Sequence, residues 1–200
     1  TGTNRLSLAL HHLCSDVAHF PDDETTLNEL AAANYRFSIL ETLDGITDIT
    51  VAHCYPELDR CFPGSKFILT VRDQASWLAS LEKHWAANPC FDAARRISPE
   101  HATHKAVRRL LCMAVFGSYV FDRDRAIDTY NQHLRSVKQY FAHRPEDLLI
   151  LDVCAGDRWT KLCQFLGKPL PAQPFPYVRR EAELATFVTH HQLAPLFVLV

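Results

Sequence analysis

Two short segments of the chain are apolar at almost every position. They are Lys66–Val71 and Leu148–Val153. A segment that is apolar on both faces is typical of a strand buried within a parallel sheet. Each segment is followed by residues with a helical spacing of apolar side chains, at Trp77–Trp85 and at Asp157–Leu166, and Gly167 ends the second helix. This alternation predicts an α/β fold with a parallel sheet.

The rest of the apolar pattern predicts mostly helices. A short strand is expected at Val17–Phe20, and from Pro171 onward the pattern predicts irregular chain with at most one terminal helix. No repeat, low-complexity tract or Ser/Gly linker divides the sequence, so residues 1–200 are predicted to form a single domain. The other predicted helices are Arg5–Leu13, Asp22–Ala33, Val51–Cys61, His101–Tyr119 and Arg123–Ala142.

Composition excludes several classes of protein. Apolar residues make up 48% of the chain and charged residues 22%, which is too apolar for a disordered chain. No apolar run approaches the roughly 18–20 residues needed to cross a bilayer, so no membrane association is expected. The formal net charge of −2 provides no global attraction for nucleic acid. An anionic ligand would therefore have to be held by a local arrangement of donors.

The cysteines and histidines do not follow a metal-binding pattern. No two of the seven cysteines have the two-residue gap of zinc and redox sites, so we expect reduced thiols and a cytoplasmic location. His101 and His104 share a helical face, but no third ligand accompanies them, and no metal site is predicted. The cysteines are Cys14, Cys54, Cys61, Cys90, Cys112, Cys154 and Cys163.

The first residues of the chain form a candidate anion site. Thr1, Gly2, Thr3 and Asn4 stand directly before a predicted helix, where backbone N–H groups and hydroxyls can bind an anion. The alternative is an ordinary turn that caps the helix. No Gly-Lys-Ser/Thr follows, so the nucleoside triphosphate-binding loop of ATP and GTP hydrolases is absent.

A second candidate anion site follows the Lys66–Val71 strand. Arg72 stands at the carboxyl end of this strand, where ligands bind in open α/β sheets, and its guanidinium can hold a phosphate through two hydrogen bonds. Ser80 lies eight residues further on, about two helical turns along the next helix. The alternative for Arg72 is a surface ion pair with a carboxylate.

Together these segments resemble the cytosolic-type sulfotransferases, which use 3′-phosphoadenosine 5′-phosphosulfate (PAPS). The resemblance runs from Thr1 to about Tyr177, and its most specific part is Phe62–Ser80. Thr1-Gly2-Thr3 resembles the family's 5′-phosphosulfate loop, and Arg72 with Ser80 resembles its 3′-phosphate site. The further matching segments are Thr47-Asp48-Ile49-Thr50, Cys54-Tyr55-Pro56-Glu57-Leu58 and Gly156-Asp157-Arg158-Trp159.

This resemblance implies a three-layer, P-loop-like fold, with a central parallel sheet flanked by helices and a first strand ahead of Thr1. The implied reaction is transfer of a sulfuryl group from PAPS to a hydroxyl or amine of a small-molecule acceptor. The resemblance leaves a homodimer open. Two positions depart from the related branch: Arg5, which is expected to contact PAPS, stands where the branch has serine, and Thr50 stands where it has proline.

The resemblance also assigns roles to residues of the site. It points to Asp48 as the catalytic base, whereas a helix N-cap is the simpler role for an aspartate at this place. His53 is the alternative base because imidazole titrates near neutral pH. Trp159 would stack on the adenine, unless it is a core residue, and Tyr119 and Tyr130 would line the acceptor pocket.

Two other classes of function remain open from the sequence. A nucleotide or small-molecule kinase could share the three-layer fold, although the missing Gly-Lys-Ser/Thr counts against it. A non-catalytic nucleotide-binding protein would keep the anion sites without the transfer reaction, and the substitutions at Arg5 and Thr50 motivate that alternative.

Overall fold

The fold is a parallel sheet with helices on both faces. A computed structural model describes residues 2–13, 15–89, 101–176 and 195–199. The sheet order is β1-β2-β5-β3-β4, and every neighbouring pair is parallel. The predicted three-layer α/β fold is thus confirmed. The strands are β1 (Val17–His19), β2 (Gly45–Thr47), β3 (Lys66–Thr70), β4 (Leu148–Leu151) and β5 (Leu196–Leu199).

Seven α-helices lie within the described ranges. Two short 3-10 helices, at Ser38–Glu41 and Pro145–Asp147, complete the secondary structure of those ranges. None of these helices is long and apolar enough to cross a membrane. The α-helices are α1 (Thr3–His12), α2 (Glu24–Ala31), α3 (Ile49–Cys61), α4 (Gln74–Ala87), α5 (Ala102–Phe116), α6 (Arg123–Tyr140) and α7 (Trp159–Leu166).

The two faces of the sheet are covered by different helices. Along β3, Phe67 and Leu69 join the core formed with α2, α3, α5 and α6, whereas Ile68 joins the core formed with α1 and α7. Successive strand residues point to opposite faces, so both faces must be apolar to be buried. This explains why β3 and β4 stand out in the sequence as continuous apolar segments.

Strand β5 corrects the prediction for the end of the chain. Residues beyond Pro171 were expected to be irregular or helical, yet Leu196–Leu199 forms the central strand, paired with β2 and β3 and buried along its length. A run of four apolar residues carries no period that distinguishes a strand from a helix. The expected strand ahead of Thr1 stays a prediction, and the place between β2 and β3 is filled by β5.

Strand β2 was also missed by the sequence analysis. It is only three residues long, and it begins at Gly45, a residue type that weakens strands. The glycine is required by packing, because a Cβ at this position would lie 1.8 Å from the backbone oxygen of Leu196 in β5. The close approach of the two backbones therefore depends on the absence of a side chain at Gly45.

Candidate active site

A cleft of about 800 Å³ opens at the carboxyl edge of the sheet. In open α/β sheets this edge is the usual ligand site, because loops and helix N-termini converge there. Part of its wall comes from the start of α1, from His19 at the end of β1 and from Asp48 directly after β2. Most of the rest of its wall comes from α4, α5 and α6, with further residues from the start of α3 and from the segment after β1.

The start of α1 lies at the cleft. Gly2 is the N-cap residue, its left-handed backbone (φ 91°) suits glycine, and no side chain caps the first turn within the described residues. The residues from Gly2 to Arg5 line the cleft. Helix N-termini attract anions because their first N–H groups lack partners within the helix. Thr1, the first residue of the predicted loop, lies outside the described residues.

Asp48 combines a helix cap with a place in the cleft. Its Oδ1 accepts a hydrogen bond of 2.8 Å from the N–H of Ile49 at the start of α3. Its backbone has φ 87° and ψ −161°, a region that is populated almost only by glycine. Strained backbone of this kind is concentrated at functional sites. The structure thus shows the N-cap interpretation of Asp48, and the role of this residue as a base stays a prediction.

The second carboxylate oxygen of Asp48 faces a histidine that the sequence analysis did not single out. His19 Nε2 lies 3.4 Å from Asp48 Oδ2, and His19 Nδ1 lies 2.8 Å from Thr47 Oγ1. Thr47 Oγ1 in turn lies 3.2 Å from Ser7 Oγ on α1. A signal for His19 was present, because it lies within the predicted strand Val17–Phe20, next to its carboxyl end.

Arg72 and Ser80 are placed differently with respect to the cleft. Ser80 is exposed on α4 and lines it, whereas Arg72 lies just outside the lining residues. The Nε of Arg72 donates to Ser76 Oγ at 2.8 Å, and its main-chain N–H and C=O both bond the hydroxyl of Tyr130. No carboxylate pairs with the Arg72 guanidinium in the described parts of the chain, so the ion pair considered as an alternative is not seen there.

The opposite wall of the cleft is aromatic and rich in histidine. Tyr130, predicted to line an acceptor pocket, does line the cleft and stacks on Trp77 at a centroid distance of 4.4 Å. Arg108 Nη1 lies 2.9 Å from His84 Nε2. The Nε2 atom of His133 is buried and has no hydrogen-bond partner among the described residues, and burial lowers the pKa of this histidine to about 4.

Comparison with known proteins supports the resemblance seen in the sequence. Residues 1–184 match the model of the sulfotransferase domain. The chain belongs to the sulfotransferase family. It is also 23% identical over 209 residues to the "Ava biosynthesis cluster protein M" of Aspergillus versicolor, an alignment that covers 89% of this chain and 76% of that protein. The match to the family ends before β5, so the central strand of this sulfotransferase-domain fold lies outside the matched segment.

Two residues with predicted roles in the sulfotransferase site lie away from the cleft. Trp159 is buried against α1, contacts the ring of Phe175 and donates from Nε1 to the carbonyl of Gln173 at 2.9 Å. His53, on α3, contacts the ring of Tyr35, and burial lowers the pKa of His53. Neither side chain lines the cleft, so the structure groups Asp48 with His19 rather than with His53.

Tyr119 and three of the cysteines lie outside the cleft. Tyr119 is exposed and does not line the cleft, and its carbonyl accepts a hydrogen bond from Trp85 Nε1. Cys54, Cys61 and Cys163 are free thiols. Among the residues that the structure describes, no group of three or more His, Cys, Asp or Glu side chains could hold a metal ion.

Proposed function

We propose that the protein transfers a sulfuryl group from PAPS to a hydroxyl or amine of a small molecule. The observation that carries this proposal is the meeting of two features in one cleft: the N-terminus of α1, which no described side chain caps, and the Asp48 carboxylate. Transfer of this kind needs donors for the negative charge of the leaving group and a base for the acceptor proton. Family membership supports the reaction class.

The residues at the start of α1 fit the anionic end of PAPS. The N–H groups of the first turn, with the hydroxyl of Thr3 and the side chains of Asn4 and Arg5, would hold the phosphosulfate, and Thr1 is proposed as part of the same loop. Arg72 and Ser80 would hold the 3′-phosphate. When bound, PAPS supplies an activated sulfuryl group and a phosphate leaving group. Trp159 stays a prediction for the adenine, although its buried position favours a core role.

Asp48 is proposed as the catalytic base. Its carboxylate lines the cleft near the start of α1, and its main chain is held in an unfavourable conformation there. An ordinary carboxylate is a weak base in water, so proton removal requires an environment that favours the transfer. His53 remains the alternative base. It does not line the cleft, so the proton of the acceptor would have to leave the cleft to reach the His53 ring.

The acceptor is proposed to be a small organic molecule. The cleft holds about 800 Å³, within the size range of small-molecule sites, and its wall mixes aromatic rings with many polar side chains. The name of the Aspergillus versicolor relative refers to a biosynthesis cluster, which agrees with such an acceptor. The free thiols among the cysteines support a reducing, cytoplasmic location.

Calorimetry with 3′-phosphoadenosine 5′-phosphate tests the nucleotide part of this proposal. Arg72→Ala removes a charged donor from the 3′-phosphate and should weaken the Kd roughly ten- to hundredfold, the usual effect of losing a charged hydrogen bond. Arg36→Ala is the matched control, because Arg36 is exposed and lies outside the cleft. An unchanged Kd in Arg72→Ala would contradict the assignment of Arg72, and tighter binding of ATP than of the 3′-phosphorylated nucleotide would favour a kinase.

A further inference from the structure

A chain of three hydrogen bonds fixes the proton on one nitrogen of His19. Ser7 Oγ lies 3.0 Å from the carbonyl oxygen of Thr3, which can only accept, so the single hydroxyl proton of Ser7 is used there. Thr47 must then donate to Ser7, and its oxygen is left to accept from His19 Nδ1. Only this assignment of hydrogens satisfies all three contacts, since each hydroxyl has one proton.

The other ring nitrogen of His19 is therefore the basic one. In a neutral imidazole with its proton on Nδ1, Nε2 carries a lone pair. The Nε2 atom lies 3.4 Å from Asp48 Oδ2, which is itself an acceptor. A proton that Nε2 accepts from a ligand would give an imidazolium within ion-pair distance of this carboxylate.

Burial of the two hydroxyl groups keeps this chain of hydrogen bonds in place. Ser7 and Thr47 are 1% and 0% exposed, so neither hydroxyl can exchange its partner for bulk water. His19 and Asp48 are partly exposed instead, and both line the cleft. The buried part of the network thus orients the ring, and the accessible part presents its lone pair to a ligand.

We propose that His19 is a catalytic residue that acts with Asp48 as one proton-accepting pair. This inference rests on the proposed function and names the groups that take the acceptor proton. The acceptor O–H or N–H bond breaks as a bond to hydrogen forms at His19 Nε2, and the imidazolium is held against Asp48 Oδ2. The electron pair left on the acceptor atom forms the new bond to sulfur, while the bond from sulfur to the leaving phosphate oxygen breaks and its pair stays on that oxygen.

A double-mutant cycle tests whether His19 and Asp48 act as one pair or as two independent residues. His19→Asn keeps a side-chain N–H near the position of Nδ1 for Thr47 but removes Nε2, and Asp48→Asn keeps a cap for α3 but removes the charge. Each single variant should lose roughly 10²–10⁴-fold in kcat, the range for loss of general-base catalysis. Residues that act as one unit are not additive, so the double variant should lose little more than the worse single variant. His143→Gln is the matched control, because His143 is exposed and lies outside the cleft.

Nitrogen-15 NMR of the His19 ring provides a readout that does not depend on activity. The wild-type protein should show the proton on Nδ1 when the ring is neutral. Thr47→Val removes the acceptor of that proton with little change in shape, so the ring should become a mixture of tautomers and kcat should fall severalfold. Thr50→Val is the control, since Thr50 is also fully buried but its hydroxyl has no partner among the described residues.

The outcomes distinguish this inference from the proposed function. If the wild-type protein transfers sulfate and His19→Asn retains its kcat, the pair is wrong and the sulfotransferase proposal stands. A wild-type ring with its proton on Nε2 would also overturn the pair, even if His19→Asn fails to fold. If the wild-type protein binds 3′-phosphoadenosine 5′-phosphate but transfers nothing, the proposed function fails instead.

Discussion

At the scale of single residues, Asp48 shows how one side chain can serve the fold and the site together. Its Oδ1 caps α3, and its Oδ2 faces His19. A left-handed backbone at a non-glycine residue costs of order 1–3 kcal/mol. This cost is offset locally, because the N–H of Asp48 donates to the carbonyl of Val198 in the central strand and its carbonyl accepts from Val51. The carboxylate is thereby held at a fixed place in the cleft.

The burial of His133 makes the free energy of unfolding depend on pH. Burial lowers its pKa from 6.5 to about 4 in the folded protein, so the unfolded chain binds more protons between these two values. The contribution of His133 to the free energy of unfolding is therefore complete above pH 6.5, and it is lost as the pH decreases toward about 4. The His133→Phe variant has no ring to protonate at this position. Between about pH 7.5 and about pH 5 it should therefore lose on the order of 1 to 2 kcal/mol less stability than the wild-type protein.

Urea unfolding near pH 7.5 and near pH 5 measures this difference. The lowered pKa of His53 acts in the same direction, so the wild-type loss has a second source that His133→Phe leaves intact. His143→Gln, at an exposed position, should behave as the wild-type protein does. Equal losses of stability in His133→Phe and the wild-type protein would show that burial does not keep His133 neutral in the folded protein.

At the scale of elements, Gly45 and β5 depend on each other. A Cβ at residue 45 would meet the backbone oxygen of Leu196 at 1.8 Å, and backbone cannot rotate away as a side chain can. Gly45→Ala should therefore separate β2 from β5 and lower the free energy of unfolding by about 3 kcal/mol or more. The urea midpoint measures this loss.

Gly64→Ala is a suitable comparison for Gly45→Ala. Gly64 has φ 85°, but a Cβ there would meet nothing within 4 Å. Its substitution should cost only the left-handed backbone penalty, about 1–2 kcal/mol. A Gly45→Ala variant that is no less stable than Gly64→Ala would mean that β5 does not lie beside β2.

The elements differ in how far the sequence could predict them. Strands β3 and β4 were predicted because their burial on both faces leaves an apolar run. Strands β2 and β5 were missed because three or four residues carry no readable period, and their pairing is set by distant contacts such as Gly45 with Leu196. In the site, Asp48 and the Gly2 turn followed from motifs, whereas the contact of His19 with Asp48 depends on β1 lying beside β2.

At the scale of the whole molecule, the sheet order determines what meets in the cleft. Strand β5 lies between β2 and β3, with β1 and β4 outside them. The carbonyl of Val198 accepts from Asp48, and that of Leu199 accepts from Thr70 Oγ1. The central strand thus links the segment that carries Asp48 to the segment that leads to Arg72. The two proposed parts of the site, base and 3′-phosphate donors, are held by one buried strand.

Transfer of radiolabelled sulfate from PAPS to a panel of alcohols, phenols and amines is the most direct measurement of the function. The full chain should form a labelled product and release one 3′-phosphoadenosine 5′-phosphate for each sulfate transferred. Asp48→Asn should bind the nucleotide with wild-type affinity yet lose roughly 10²–10⁴-fold in turnover. The absence of labelled product from every acceptor, with nucleotide binding intact, would contradict sulfuryl transfer, and phosphoryl transfer from ATP would replace it with kinase activity.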